Sequence, residues 1–251
     1  MEQIKSRERV VKHGEVFTAE REVKAMLDLV KKETEKIGST FLEPACGCGA
    51  FVKEILERKM DAVAKIGKKN YEKNSVQAVS SIYGIDIMQD NVEYCRTLLY
   101  GIWLGRYRAF CGKEPSEKCQ AAVQYILSRN IVWGDTLERR YVTGFDEASK
   151  PQYDGWIIFS EWKFHNGTNT IAREDCYLDD MIEDDDKKKT HPGENIPSMF
   201  QGLWSESELE EMYGPKPDDV KHLKKYKPIR YDEVQYESQY EVNEDGVKTI
   251  G

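Results

Sequence analysis

Two features of the sequence predict an α/β fold with a mainly parallel sheet flanked by helices. The first is a strand–turn–helix unit. Phe41 and Leu42 close a short apolar run, residues 44–49 form a turn of small residues, and Phe51, Val52, Ile55 and Leu56 recur at helical spacing. The second is a repeated pattern of short apolar runs ending in an acidic residue, over 81–87 and 130–137, separated by helical periodicities. Buried parallel strands read as such runs, without the alternation of a half-exposed sheet.

The first unit carries the strongest signal. Thr40-Phe41-Leu42-Glu43-Pro44-Ala45-Cys46-Gly47-Cys48-Gly49-Ala50-Phe51 leads a strand through a glycine turn into a helix N-terminus. Glycines let backbone approach a ligand because no Cβ intervenes. A helix N-terminus offers N–H groups and a partial positive charge to an anion. Cys46 and Cys48 form a CxC in this turn; no second ligand pair accompanies it, so packing of small side chains accounts for it better than a metal does.

Ahead of this unit, residues 1–12 are charged and mixed and read as an arm or frayed helix. Thr18 is a credible N-cap for an amphipathic helix on Val23, Met26, Leu27 and Val30, ending near Gly38. After it, the lysine-rich stretch 58–73 reads as a loop between helical pieces. The second strand carries Asp86, placed as a carboxylate that accepts from ribose hydroxyls in a nucleotide-binding βαβ unit, although its separation from the glycines exceeds the usual ~20 residues. The competing reading of Asp86 is a helix N-cap, which Asp90 fits better. Val92, Cys95, Leu98, Leu99 and Ile102 continue a helix, 106–118 reads as a basic loop, and Ala122, Val123, Ile126 and Leu127 mark a further helix. In the next strand Asp135 stands as a turn carboxylate or, paired with Asp86, as a reader of an adenine amino group. A strand follows over 153–159, running into Ser160, Glu161 and Trp162.

Beyond this point apolar periodicity weakens. Residues 175–189 join an acidic cluster to a lysine run, the usual pattern of a solvated face, and lack the glycine and spacing of a calcium loop. Residues 192–202 read as a loop. Ser205-Glu206-Ser207-Glu208 reads as a capping box, and 213–251 as extended or partly disordered. The predicted organisation is an N-terminal arm and helix over 1–38, an α/β core over 39–165, and an acidic, loosely structured extension over 166–251.

The 251 residues suffice for one α/β domain or one and a half. At 39% hydrophobic and 33% charged, with no long apolar run and no signal peptide, the composition predicts a cytoplasmic protein without a membrane association. A net charge of −8 argues against a strong stand-alone binder of duplex nucleic acid, which needs a basic face, but is compatible with a local basic patch or a basic partner subunit.

Four elements in this order resemble the adenine-specific DNA methyltransferases, above all the modification subunits of restriction systems and their prophage relatives. His13-Gly14-Glu15-Val16-Phe17-Thr18 is similar to the family's N-terminal loop against the methionine end of the cofactor, with Ala19 where the family usually has Pro. Leu42 to Gly49 is similar to its cofactor loop, with Glu43 in place of the common Asp. Tyr83-Gly84-Ile85-Asp86-Ile87 is similar to its ribose-binding strand, and Trp133-Gly134-Asp135-Thr136-Leu137 to its adenine-side element.

The resemblance implies a Rossmann-like S-adenosylmethionine-dependent methyltransferase fold. It further implies that Phe17, Thr18, Glu43, Ala45, Gly47, Gly49, Asp86, Ile87, Asp135 and Thr136 bind S-adenosylmethionine. The family's Asn/Asp-Pro-Pro-aromatic element is replaced by Phe159-Ser160-Glu161-Trp162, similar to a prophage-type branch of DNA methylases. On this alignment Trp162 stacks on a flipped base, and Glu161 or Ser160 accepts from the target amino group. The implied partners are DNA and a separate specificity or restriction subunit. A second expectation is a module that keeps the cofactor but has lost the chemistry. A third, ranked lower, is a nicotinamide-dependent dehydrogenase, whose third fingerprint glycine is missing here.

Overall fold

A computed structural model of the chain describes residues 18–183, 223–236 and 241–242. The arm over 1–12, the loop residues His13 to Phe17, the loop 192–202 and the capping box 205–208 lie outside the described residues. In chain order the helices are α1 (Glu20–Asp28), α2 (Lys31–Thr34), α3 (Ala50–Ile66), α4 (Tyr71–Ser80), α5 (Gln89–Cys111), α6 (Glu117–Asn130) and α7 (Leu178–Glu183). The strands are β1 (Phe41–Glu43), β2 (Ile82–Asp86), β3 (Ile131–Asp135), β4 (Arg140–Phe145), β5 (Pro151–Trp156), β6 (Ile158–Phe164), β7 (Thr170–Tyr177), β8 (Lys225–Arg230) and β9 (Glu241–Val242).

The chain is α/β, as expected, and its first sheet has five strands in the order β1-β2-β3-β4-β5. Only β1, β2 and β3 run parallel; β4 and β5 are an antiparallel hairpin added beyond β3. A second, antiparallel sheet has the order β6-β7-β8-β9. Every residue of β2 is buried. Successive strand side chains point to opposite faces, so both faces of the parallel part are covered. Helix α3 packs on α5, and α4 on α6. The core runs through Val52, Leu56, Val79, Ile85, Leu99, Trp103, Ile126 and Ile131 into Phe159 of the second sheet.

Several local expectations are corrected. The N-cap of α1 is Ala19, not Thr18: the Glu22 carboxylate accepts the Ala19 N–H at 3.3 Å, so a side chain inside the helix does the capping. Helix α3 continues through the lysine-rich stretch to Ile66 because Lys59, Met60 and Val63 all face the interior. It stops at Gly67, whose φ of 105° no other residue adopts readily. The basic segment after 106 is helical as far as Cys111.

The expected strand over 153–159 is two strands in two different sheets. Gly155 has a φ of 51°, and at Ile157 the chain leaves β5: its N–H donates to the Arg139 carbonyl at 2.8 Å and its carbonyl accepts from Leu178 at 3.2 Å. Beyond residue 165, β7 pairs along the whole length of β6 in the second sheet. The tail, read as extended or partly disordered, contains β8 and a turn that docks on the helices. Tyr231 and Val234 are buried, the Tyr231 hydroxyl donates to Glu72 at 3.0 Å, and Lys118 pairs with Glu233 at 2.7 Å.

Candidate functional site

The turns that follow β1, β2 and β3 meet at one end of the parallel sheet, where ligands bind in open α/β folds. Hydrogen bonds between residues far apart in sequence hold them together. The Cys46 N–H donates to the Ile85 carbonyl at 2.8 Å, the Thr136 hydroxyl to the Pro44 carbonyl at 2.5 Å, and the Trp133 indole N–H to the Ile87 carbonyl at 2.8 Å. Glu43, Ala45, Gly47, Gly49, Asp86, Ile87, Asp135 and Thr136 are thereby brought to one place. Thr18 lies on the short segment before α1, and Phe17 lies outside the described residues.

The glycine turn has the shape its sequence calls for. Gly47 has a φ of 50° and Gly49 a φ of 89°, a region open to glycine and strained for other residues. A Cβ on Gly49 would stand 3.0 Å from the Cys95 sulfur, whereas a Cβ on Gly47 would meet nothing within 4 Å. The two glycines therefore serve different ends: Gly49 lets the turn pack on α5, and Gly47 leaves open space beside the backbone. Gly84 belongs with them, since its Cβ would lie 3.1 Å from the Cys46 sulfur and lift the turn off β2. The first turn of α3 has no side-chain cap and no acidic residue, the setting in which helix N–H groups can receive an anion.

Three carboxylates surround the turn. Asp86 is buried; one of its oxygens accepts the Gly47 N–H at 2.8 Å, and the other accepts the Met88 N–H at 2.9 Å and the Asn91 amide at 3.0 Å. A carboxylate has about four acceptor sites. Asp86 therefore retains about one free acceptor site, where the reading from sequence called for two.

Asp135 accepts the Leu137 and Glu138 N–H groups on one oxygen and the Tyr153 hydroxyl at 2.8 Å on the other. Burial and that bond push the Tyr153 phenol up to about 12, which keeps it a neutral donor. Burial raises the Glu43 carboxyl, against a long 3.4 Å contact from the Ala45 N–H. The Cys46 thiol is held well above its ordinary range by Cys95 and by burial, so it is an inert packing group.

Ser160, Glu161 and Trp162 sit elsewhere, on β6 of the second sheet. Ser160 is fully buried; its hydroxyl donates to Asp175 at 2.8 Å and accepts from Arg173 at 2.8 Å. Trp162 is 9% exposed, its indole N–H donates to Asn130 at 2.9 Å, Tyr125 meets it edge-on, and the Arg173 guanidinium lies 5.7 Å from its ring centre. A ring enclosed in this way is not presented as a stacking plate. Glu161 points to the exposed side and pairs with Lys163 at 2.9 Å. The sequence motif thus divides into two structural anchors and a surface ion pair.

Sequence reasoning missed Asn91, Trp133 and Tyr153 as braces of the site. Asn91 had a local signal, standing two residues into a helix that follows Asp86; Tyr153 had none, since its partner is set by the β4–β5 hairpin. No family model, no curated protein and no solved structure matches the chain.

Proposed function

We propose that the chain binds S-adenosylmethionine on the turns that follow β1, β2 and β3, and that it is a methyltransferase. On its resemblance to the adenine-specific DNA methyltransferases, the acceptor is the exocyclic amino group of adenine in DNA, within or derived from a restriction-modification system. The supporting observation is the convergence of the open Gly47 turn, the uncapped α3 N-terminus, Asp86 and Asp135 at one end of the parallel strands.

The residues present fit this cofactor. The α3 N-terminus suits its carboxylate, Glu43 its ammonium, and Asp86 one ribose hydroxyl, and an acidic rim suits its sulfonium. Bound there, the cofactor supplies an electrophilic methyl group. The protein's part is to orient an acceptor nitrogen in line with it, so catalysis is mostly positioning. With a net charge of −8, duplex contacts fall to a partner such as a specificity or restriction subunit.

The burial of Ser160 and Trp162 favours a second reading, a cofactor-binding module that performs no transfer and acts as a partner subunit. Calorimetric titration with S-adenosylmethionine, followed by transfer of labelled methyl to unmethylated DNA, separates the two. Binding that Gly47→Val abolishes, together with transfer, supports the enzyme. Such binding without transfer to any DNA supports the module, and absence of binding by the intact chain removes both.

A further inference from the structure

Strands β3 and β4 pair only at Gly134–Tyr141 and Asp135–Arg140, and diverge beyond. The wedge between them, closed by α5 and α6, is a cleft of about 350 Å³. That lies at the small end of ligand pockets, roughly 300–1,000 Å³.

Its walls are aromatic and fixed. The Trp133 indole N–H is bound to Ile87, and the Tyr141 hydroxyl donates to the Ile158 carbonyl at 2.9 Å while accepting its N–H at 3.1 Å. Two arginines line the cleft. Arg96 donates to the Ile131 carbonyl at 2.8 Å and the Ser128 carbonyl at 3.1 Å, and the carboxylate acting on it is Glu93, one turn earlier on α5 and in the same cleft. Arg129 is held by long contacts, 3.4 Å to the Ser160 hydroxyl and 3.8 Å to Asp175, whose carboxylate the Arg173 guanidinium already grips through two hydrogen bonds at 2.9 and 3.0 Å. Gln89 and Glu93, bonded to each other at 2.9 Å, add an amide and a carboxylate from the first turns of α5.

We propose that this cleft binds a nucleoside monophosphate, free or as one unit of a single strand. The ring packs against the aromatic lining of the cleft, the phosphate lies on Arg96 and Arg129, and the edge of the base meets Gln89 and Glu93. Guanidinium pairs recognise phosphate through several charge-assisted hydrogen bonds, and flat rings fit aromatic walls of every base alike. The volume admits one nucleotide and excludes a duplex. The inference does not rest on methyl transfer or on S-adenosylmethionine binding.

The test is titration of the full chain with adenosine 5′-monophosphate, adenosine, inorganic phosphate and a single-stranded deoxyadenosine tetranucleotide, followed by calorimetry and tryptophan fluorescence. The monophosphate binds, and adenosine and phosphate each bind at least about tenfold more weakly. Arg129→Gln weakens the monophosphate about tenfold or more, and Ser128→Trp, which fills the cleft from an exposed position, abolishes binding while thermal melting shows both variants folded. A tighter tetranucleotide identifies the ligand as part of a strand, and a tighter monophosphate as a free metabolite. Three results overturn the proposal: no binding of either nucleotide at millimolar concentration, binding indifferent to both variants, or binding lost in Gly47→Val and kept in Ser128→Trp, which assigns it to the glycine turn.

Discussion

The Asp86 carboxylate accepts the Gly47 N–H at 2.8 Å across 39 residues of sequence, so the end of β2 sets the shape of the turn after β1. The same carboxylate caps the start of α5 through Met88 and Asn91. Removing it leaves buried donors without acceptors. Asp86→Ala is expected to lower stability by about 2–4 kcal/mol, the range for a charged acceptor with several partners. Urea denaturation measures this. A loss below ~1 kcal/mol would show that water replaces the carboxylate and that the turn does not depend on it. A ligand-binding loss in this variant therefore carries a folding contribution, and Gly47 is the cleaner position for blocking the site.

The two glycines of the turn separate folding from binding. Gly49→Ala meets both the left-handed φ and the Cys95 sulfur, and is expected to cost about 2 kcal/mol or more. Gly47→Ala carries only the conformational cost of about 1 kcal/mol, since its Cβ enters open space. Thermal melts of both variants check the order. If Gly47→Ala is the more damaging, the space beside it is filled in solution by the chain itself.

The first half of the parallel sheet was legible because its strands are apolar runs and its turns carry glycine and aspartate at positions where those residues are required. Gly47, Gly49, Asp86 and Asp135 converge for that reason. The second sheet was less legible because several of its inward-facing positions, Ser160, Arg173 and Asp175, are polar or charged. On β7 the buried set is Ile171, Arg173 and Asp175, so alternation exists but reads as charge. Arg173 is tolerated inside because Asp175, Ser160 and the Tyr226 ring, 4.1 Å from its guanidinium, surround it. Ser160 of the Phe159-Ser160-Glu161-Trp162 motif belongs to that buried ion-pair network.

The buried Asn130 amide ties α4, β2, α6 and β6 together. It donates to the Ser80 carbonyl at 2.9 Å and the Ile82 carbonyl at 3.1 Å, and accepts the Trp162 indole N–H at 2.9 Å. Trp162→Phe strands that acceptor and is expected to cost about 1–3 kcal/mol. A double-mutant cycle with Asn130→Ala should give a coupling of about 0.5 kcal/mol or more. In a methyl-transfer assay the folded Trp162→Phe chain is expected to retain whatever activity the parent has. Loss of transfer without loss of stability would instead return Trp162 to the base-stacking role.

Lys59 gives a pH dependence of defined sign. Its side chain is fully buried in α3, and its ammonium donates to the carbonyls of Lys36 at 2.9 Å, Ile37 at 3.0 Å and Ser39 at 2.6 Å, which holds the segment entering β1. Burial pushes its pKa down to about 7, while the unfolded chain keeps the proton up to about 10.4. Between those values the unfolded state binds one more proton than the folded state, so this group makes stability rise with pH; below about 7 both states are protonated and it adds no slope. Lys59→Met lacks this slope and leaves three carbonyls unpaired. Its destabilisation relative to the parent should therefore be smallest near pH 6 and widen above pH 7 by at most ~1.4 kcal/mol per unit. A half-buried thiol acts in the opposite direction: desolvation raises Cys176 to about 12, and stability from that source falls as pH climbs past the ordinary thiol range. That loss is common to both chains and cancels in the difference. Urea midpoints of the two proteins from pH 6 to 9 are the measurement, and a difference that stays flat or narrows with pH would mean that Lys59 remains an ammonium throughout, held by its three carbonyls.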